Sequence, residues 1–184
     1  GVVQSAFGFQ GQKCSACSRA IIDERIYDAM LDKIVERTAK IKLADPSDLS
    51  TTMSAVINEK AFKTINSYIE KGTSEGGRVL IGGGSDGEQG FFIEPTVIAD
   101  VKPGDRIEQE EIFGPVLAVI KAQNYDNALD IANDTQFGLT GAVYSKDEAK
   151  LDRARKEFHV GNLYLNRKCT GALVGVHPFG GFNM

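Results

Sequence analysis

From Ile26 onward apolar residues recur near helical spacing, at Ile26, Met30, Ile34 and Ala39, with Asp32, Lys33, Glu36 and Arg37 between them. A period close to one helical turn, with charge kept off the stripe, predicts an amphipathic helix that ends before Pro46. Ala61, Phe62, Ile65 and Ile69 repeat the pattern, with Lys60, Lys63 and Glu70 outside it and Gly72 as the expected C-terminal cap. Short β-rich runs follow at Val79 to Ile81, Phe91 to Ile93, Val116 to Ile120, Thr140 to Tyr144 and Asn162 to Leu165, bounded by Gly, Pro, Asn or Asp as buried strands are. Between the later runs lie two helical stretches. One is Asp126 to Asn133, with Ala128, Leu129, Ile131 and Ala132 as its apolar face; the other is Asp147 to Phe158. Strands alternating with helices predict a three-layer α/β/α fold around a mostly parallel sheet. The opening Val2, Val3, Ala6, Phe7 and Phe9 read as packed structure, and with Gly1 rather than Met in front they suggest a piece of a longer chain.

The length of 184 residues suits one domain with one substantial core. With 21 Lys+Arg against 25 Asp+Glu, net charge −4, there is no basic stripe to neutralise phosphates, so nucleic acid is not an expected partner. No apolar run approaches the roughly 18 residues that span a bilayer, and the first residues lack a signal-peptide layout, so no membrane association is expected. Three Cys are an odd count and too few for a disulfide scaffold, which favours a reducing compartment and a cytoplasmic location.

Gly82, Gly84 and Gly87 spell G-x-G-x-x-G after an expected strand, but Phe91, Phe92 and Ile93 follow where a dinucleotide fingerprint needs a helix. A glycine-rich turn is the better reading. Asn133, Asp134 and Thr135 match a glycosylation sequon, which without a secretory signal is read as chance. Cys14 and Cys17 form C-x-x-C and, with Cys169 and His177, could hold zinc or act as a redox dithiol. Zinc ligands usually come as two close pairs, which the spacing here does not supply, so no metal is expected. Cys14 itself sits among Gly11, Gln12, Lys13 and Ser15, a small polar segment beside a cation, where a thiolate is favoured and a substrate can approach. The plain alternative is a small side chain packed behind a turn.

The stretches Gly11-Gln12-Lys13-Cys14-Ser15, Glu110-Glu111-Ile112-Phe113-Gly114-Pro115-Val116 and Pro178-Phe179-Gly180-Gly181 together resemble the aldehyde dehydrogenase superfamily in order and spacing. Phe91 to Val97, Asn133 to Tyr144 and Gly161 to Asn166 extend the resemblance over nearly the whole chain. Thr170-Gly171-Ala172, then Val174-Gly175, with Arg167-Lys168 in front, is similar to the branch that acts on glutamate γ-semialdehyde. Ser15 after the cysteine agrees with that branch. A substrate with an α-carboxylate needs NH and OH donors, and a Gly-Ala turn exposes its NH groups.

The resemblance implies that Cys14 is the nucleophile, forming a thiohemiacetal that gives hydride to NAD+ and then a thioester that is hydrolysed. Its backbone NH would help hold the oxyanion. It further implies that Glu111 accepts hydrogen bonds from the ribose on the nicotinamide side and that Phe113 packs beside ribose and nicotinamide. Lys13, Ser15, Gly171 and Ala172 would contact the α-carboxylate or amino group of the substrate, and Phe179 its aliphatic stem. The family's general base, a Glu in Glu-x-Gly-Gly-Lys, is not found in the sequence. Nor are its second oxyanion donor, an Asn, and its nucleotide-binding domain. Residues 1–184 therefore correspond to a catalytic domain alone, with no turnover expected in isolation and a homo-oligomer expected for the parent. Competing readings are a dithiol redox or metal protein using Cys14 and Cys17, a non-catalytic assembly module, and an aldehyde dehydrogenase with another substrate.

Overall fold

The computed structural model describes residues 1–173 and 175–183; Val174, in a stretch read above, and Met184 lie outside them. The first half of the chain runs α1 (Val2–Phe7), β1 (Arg19–Asp23), α2 (Tyr27–Thr38), α3 (Glu59–Ser74), β2 (Arg78–Ile81), β3 (Ser85–Asp86) and β4 (Phe92–Ile93). The second half runs β5 (Thr96–Val101), α4 (Arg106–Gln109), β6 (Val116–Ala122), α5 (Tyr125–Asn133), β7 (Thr140–Val143), α6 (Glu148–Glu157) and β8 (Asn162–Leu165).

The main sheet has the order β1-β6-β5-β2; β1, β6 and β5 are parallel, and β2 runs antiparallel at the edge. Strand residues alternate between faces, so β6 serves two cores at once. Val116, Ala118, Ile120 and Ala122 pack with Ile65 and Ile69 of α3, Ile107 of α4 and Ile131 of α5. Leu117 and Val119 pack with Phe7 of α1 and with Tyr27, Leu31 and Ile34 of α2. A strand buried on both sides reads as a continuous apolar run, which is why β6 is plain in the sequence. The layers are helix, sheet, helix, and the chain has the mixed α/β, mostly parallel fold expected. Separately, β7 pairs in parallel with β8, joined by α6.

Four expectations are corrected. The buried stripe of α2 is Tyr27, Leu31, Ile34 and Thr38, so the face is rotated from the Ile26, Met30 and Ala39 reading. Ile26 is 54% exposed, because Tyr27 takes the inward position and anchors it with its hydroxyl, which accepts from Asp100 N at 2.9 Å. Gly72 does not cap α3; it is buried within the helix against Ile107. The helix closes with Gly77 N on Gly72 O at 2.9 Å and Gly76 N on Thr73 O at 3.1 Å, a Schellman pair turning at Gly76. Strands β1, β3 and β5 had no counterpart in the pattern. β1 is short and bracketed by Arg19 and Asp23, while β5 contains Asp100 at φ 60, where its register with β6 shifts. Finally, Phe9 is 78% exposed, although Ala6 and Phe7 beside it are buried.

The glycines after β2 lead into the β3–β4 hairpin with no helix between, as a glycine-rich turn should. Among the described residues no helix is long and apolar enough to cross a membrane.

Candidate active site

Cys14 lies in the loop between α1 and β1, and its side chain is exposed. The backbone just before it is unusual: Phe9, Gln10 and Gly11 have φ of 58°, 57° and 66° in succession. Left-handed non-glycine residues cost roughly 1–3 kcal/mol each and persist only where surrounding contacts over-determine them. Here the contacts are Gln10 Nε2 on Ala55 O at 3.2 Å and Ile57 N on Gln12 Oε1 at 3.0 Å. Downstream, Ala16 N donates to Lys13 O at 2.9 Å and Cys17 N to Ser5 O at 3.1 Å, whereas no carbonyl of the described residues takes the Cys14 N–H. That leaves an exposed sulfur with a free amide donor beside it.

Gly11 ties this loop to a second one. A Cβ at Gly11 would stand 2.1 Å from Gly114 O, so the two backbones touch as only glycine allows. The second loop carries Glu111 and Phe113. Phe113 is itself left-handed, at φ 54, with 44% of its surface exposed. Glu111 is exposed and forms no hydrogen bond or ion pair among the described residues, which leaves its oxygens free to accept. Behind it, buried Glu108 pairs with Arg19 at the start of β1, and Arg19 also donates to Ile131 O at 3.2 Å and Ala132 O at 3.0 Å. Gly104 N donates to Glu108 Oε2 at 3.2 Å. The pair fastens the 104–113 segment to the strand that follows the Cys14 loop.

Lys13, Cys14, Glu111, Phe113, Thr140 and Cys169 are among the walls of one open cleft of about 1090 Å3. Lys13 holds its ammonium 6.0 Å from the centroid of the Phe9 ring. The remaining predicted residues are placed differently. Ser15 is only 6% exposed and sits beneath the cleft surface, where its carbonyl meets Thr140 Oγ1 and Cys169 Sγ, each at 3.5 Å. Gly171 is exposed at φ 107°, Ala172 is half-buried and Phe179 is 55% exposed; all three lie outside the cleft walls. The Cys169–Ser15 contact is what brings their segment against the Cys14 loop.

The C-x-x-C reading needs correction. Cys14 and Cys17 are both free thiols, Cys14 exposed and Cys17 half-buried with its Sγ donating to Arg19 O at 3.3 Å, while the distant Cys169 is buried with its Sγ on Ser15 O at 3.5 Å. His177 is engaged elsewhere, with its Nδ1 accepting from Leu173 N at 2.9 Å. Among the described residues no three or more His, Cys, Asp or Glu gather as a metal site would need.

Sequence reading missed Arg19, Glu108 and Gly114. Glu108 stands two residues before Glu110 and three before Glu111, and only burial separates the first from the exposed pair. Its one visible signal was its neighbour Ile107, fully buried on the same short helix.

The family model described as "Aldehyde dehydrogenase family" matches residues 1–184. A 1-pyrroline-5-carboxylate dehydrogenase of Geobacillus sp. (strain WCH70) is 61% identical over 183 residues, covering 100% of this chain and 35% of the relative. A crystal structure of 1-pyrroline-5-carboxylate dehydrogenase from Thermus with bound NAD is 50% identical with a TM-score of 0.94, covering 99% of this chain and 35% of that one. Proline utilization A from Bdellovibrio bacteriovorus is 45% identical with a TM-score of 0.94, over 100% of this chain and 19% of that one. The chain thus spans about a third of the length of the curated relatives it matches. With the family model running from its first residue to its last, the chain belongs to the aldehyde dehydrogenase family.

Proposed function

We propose that this chain is the catalytic domain of an enzyme that oxidises L-glutamate γ-semialdehyde to L-glutamate with NAD, with Cys14 as nucleophile. The observation that carries the reading is that an exposed Cys14 and an unpartnered Glu111 open on one cleft, at a separation fixed by the Gly11–Gly114 contact. The names of the relatives, one of them a structure with bound NAD, point to the same substrate and cofactor.

The Cys14 sulfur forms a bond to the aldehyde carbon, and the resulting oxyanion accepts from the free Cys14 N–H. The residues present fit NAD: free carboxylate oxygens on Glu111 suit ribose hydroxyls, and the exposed Phe113 ring offers a flat apolar face. When bound, NAD supplies the hydride acceptor. The thioester then left on Cys14 is hydrolysed, which releases the new carboxylate and restores the thiol. Gly171 and Ala172 present backbone donors for the α-carboxylate, with Lys13 and Ser15 on the side of the nucleophile and Phe179 along the stem. Ser15 lies beneath the cleft surface and Gly171, Ala172 and Phe179 lie outside its walls, so the contacts of these four with the ligand depend on movement of their segments.

The test uses an enzyme that joins this chain to a cofactor-binding domain. Cys14→Ala should abolish NADH formation with every aldehyde. Ala172→Phe should lower kcat/KM for the semialdehyde about ten-fold more than for propionaldehyde, equivalent to roughly 1.4 kcal/mol of transition-state binding. Equal losses for the two aldehydes would overturn the assignment of the substrate.

A further inference from the structure

Because Glu111 makes no hydrogen bond or ion pair among the described residues, only its backbone sets where its oxygens stand. The three residues before it are each fastened to a different element. Glu108, its side chain 1% exposed, pairs with Arg19 of β1 and accepts from Gly104 N at 3.2 Å. Gln109 Nε2 donates to Asp134 O at 2.7 Å, just past α5, and Glu110 Oε2 accepts from the Tyr68 hydroxyl of α3 at 2.7 Å. The first of these anchors is the buried one, and it alone reaches towards the nucleophile. Arg19 opens β1, five residues after Cys14, and its guanidinium also donates to Ile131 O at 3.2 Å and Ala132 O at 3.0 Å at the end of α5. A planar fork of five donors suits one carboxylate and two carbonyls at once, which a lysine ammonium would not.

We propose, on the reading of Glu111 as a ribose acceptor, that Arg19 and Glu108 are a positioning pair for the cofactor. They fix the 108–113 segment against β1 and α5, so that the Glu111 oxygens stand where the ribose hydroxyls of NAD arrive. Glu108 itself touches no ligand, since its two oxygens are taken by Arg19, Gly104 N and Gln109 Nε2. Its influence passes through Glu111. A hydrogen bond to a ligand survives only small displacements of its acceptor, so a support directly behind an otherwise unheld carboxylate sets the strength of that contact.

Calorimetric titration with NAD of the enzyme that joins this chain to a cofactor-binding domain reads the effect without turnover. Glu108→Gln should raise Kd about ten-fold, the scale of one lost charge-assisted hydrogen bond, and Glu111→Gln should do the same. Combined, the two substitutions should weaken binding no more than Glu111→Gln alone, because nothing is then left to position. Arg19→Met with Glu108→Leu strands no charge; it should recover most of the urea midpoint and still bind NAD about ten-fold more weakly. In steady state Glu108→Gln should raise KM for NAD with kcat within about two-fold, as lost binding rather than lost chemistry does. Additive losses in the combined variant, or ordinary NAD affinity in the apolar pair, would overturn the proposal, and the apolar pair still decides should Glu108→Gln not fold. A raised Kd in Glu111→Gln beside an unchanged one in Glu108→Gln would remove the positioning role alone. An unchanged Kd in Glu111→Gln would remove the ribose contact, and the positioning role with it.

Discussion

The two sides of the candidate site are built in opposite ways. On the side of the nucleophile and Glu111, two backbones meet at Gly11 and Gly114, and a buried ion pair and the parallel sheet stand directly behind them. On the other side, residues 171–173 and 175–183 cross the surface, with Leu173, Val176, Phe179 and Phe182 each about half exposed or more. This tail is held from outside by Asn162 Nδ2 on Pro178 O at 2.8 Å, Phe182 N on Gly138 O at 3.0 Å, and a close backbone approach of Gly180 to Gly161, with no sheet or buried ion pair behind it among the described residues. The contrast suits a division of labour. Bond-making chemistry demands placement to within fractions of an ångström, whereas recognition of one particular aldehyde can vary on a less constrained segment. It also implies that substitutions on the first side act through the fold, and on the second through selectivity.

The largest effect expected is at Glu108. Glu108→Ala leaves the Arg19 guanidinium, only 16% exposed, without its carboxylate, and removing one partner of a buried pair costs roughly 3–5 kcal/mol. Urea denaturation should show that loss as a shift of midpoint at constant slope. Replacing both partners, Arg19→Met with Glu108→Leu, should recover much of it, because no charge is then stranded. A loss below about 1 kcal/mol for Glu108→Ala would break the contrast, since that is the scale of an exposed pair.

Next comes a matched pair of glycines. Gly11→Ala places a methyl 2.1 Å from Gly114 O at φ 66, so strain and overlap add to an expected loss of about 2–4 kcal/mol. Gly171→Ala shares the positive φ, at 107°, but its methyl would meet only side-chain ends, Arg167 Nη2 at 3.2 Å and Lys168 Cε at 4.0 Å. Those side chains can move, so about 1–2 kcal/mol is expected there. Thermal unfolding of the two variants in parallel reads the difference, and equal losses would mean the tail is as firmly built as the loop.

How much of this was visible beforehand follows from what kind of information sets each feature. β6 and the helix around Ile65 and Ile69 were legible because burial on a regular element imprints its own period on the chain. β5 was not, because its bulge at Asp100 is stabilised by the Tyr27 hydroxyl, a contact between distant residues. The same division runs through the site. Cys14, Glu111 and Phe113 were identified by local motifs, and they do border one cleft. Arg19 and Glu108 are brought together by tertiary neighbours 89 residues apart in sequence, so no local motif marks them.

The smallest effect separates the two ends of β1, which opens on the buried Arg19–Glu108 pair and closes on an exposed one. Asp23 accepts from Arg25 Nε and Nη2, each at 2.8 Å, and from Arg25 N at 3.0 Å. The Arg25 guanidinium first, and its backbone N–H second, hold the Asp23 carboxyl down at about 2, against an ordinary value of 3.8. Because the folded value lies below the unfolded one, this contribution is complete above about pH 4 and is lost as pH falls towards about 2. Asp23→Asn should therefore match the unaltered chain in urea midpoint near the lower limit and fall slightly behind it near neutrality. Salt should erase the part of the gap that comes from the exposed charges. The alkylation rate of Cys14 at neutral pH should be the same in both proteins, since Asp23 lies at the opposite end of β1 from the loop. A change in that rate would show that the exposed end of the strand, and not only its buried start, sets the position of the nucleophile.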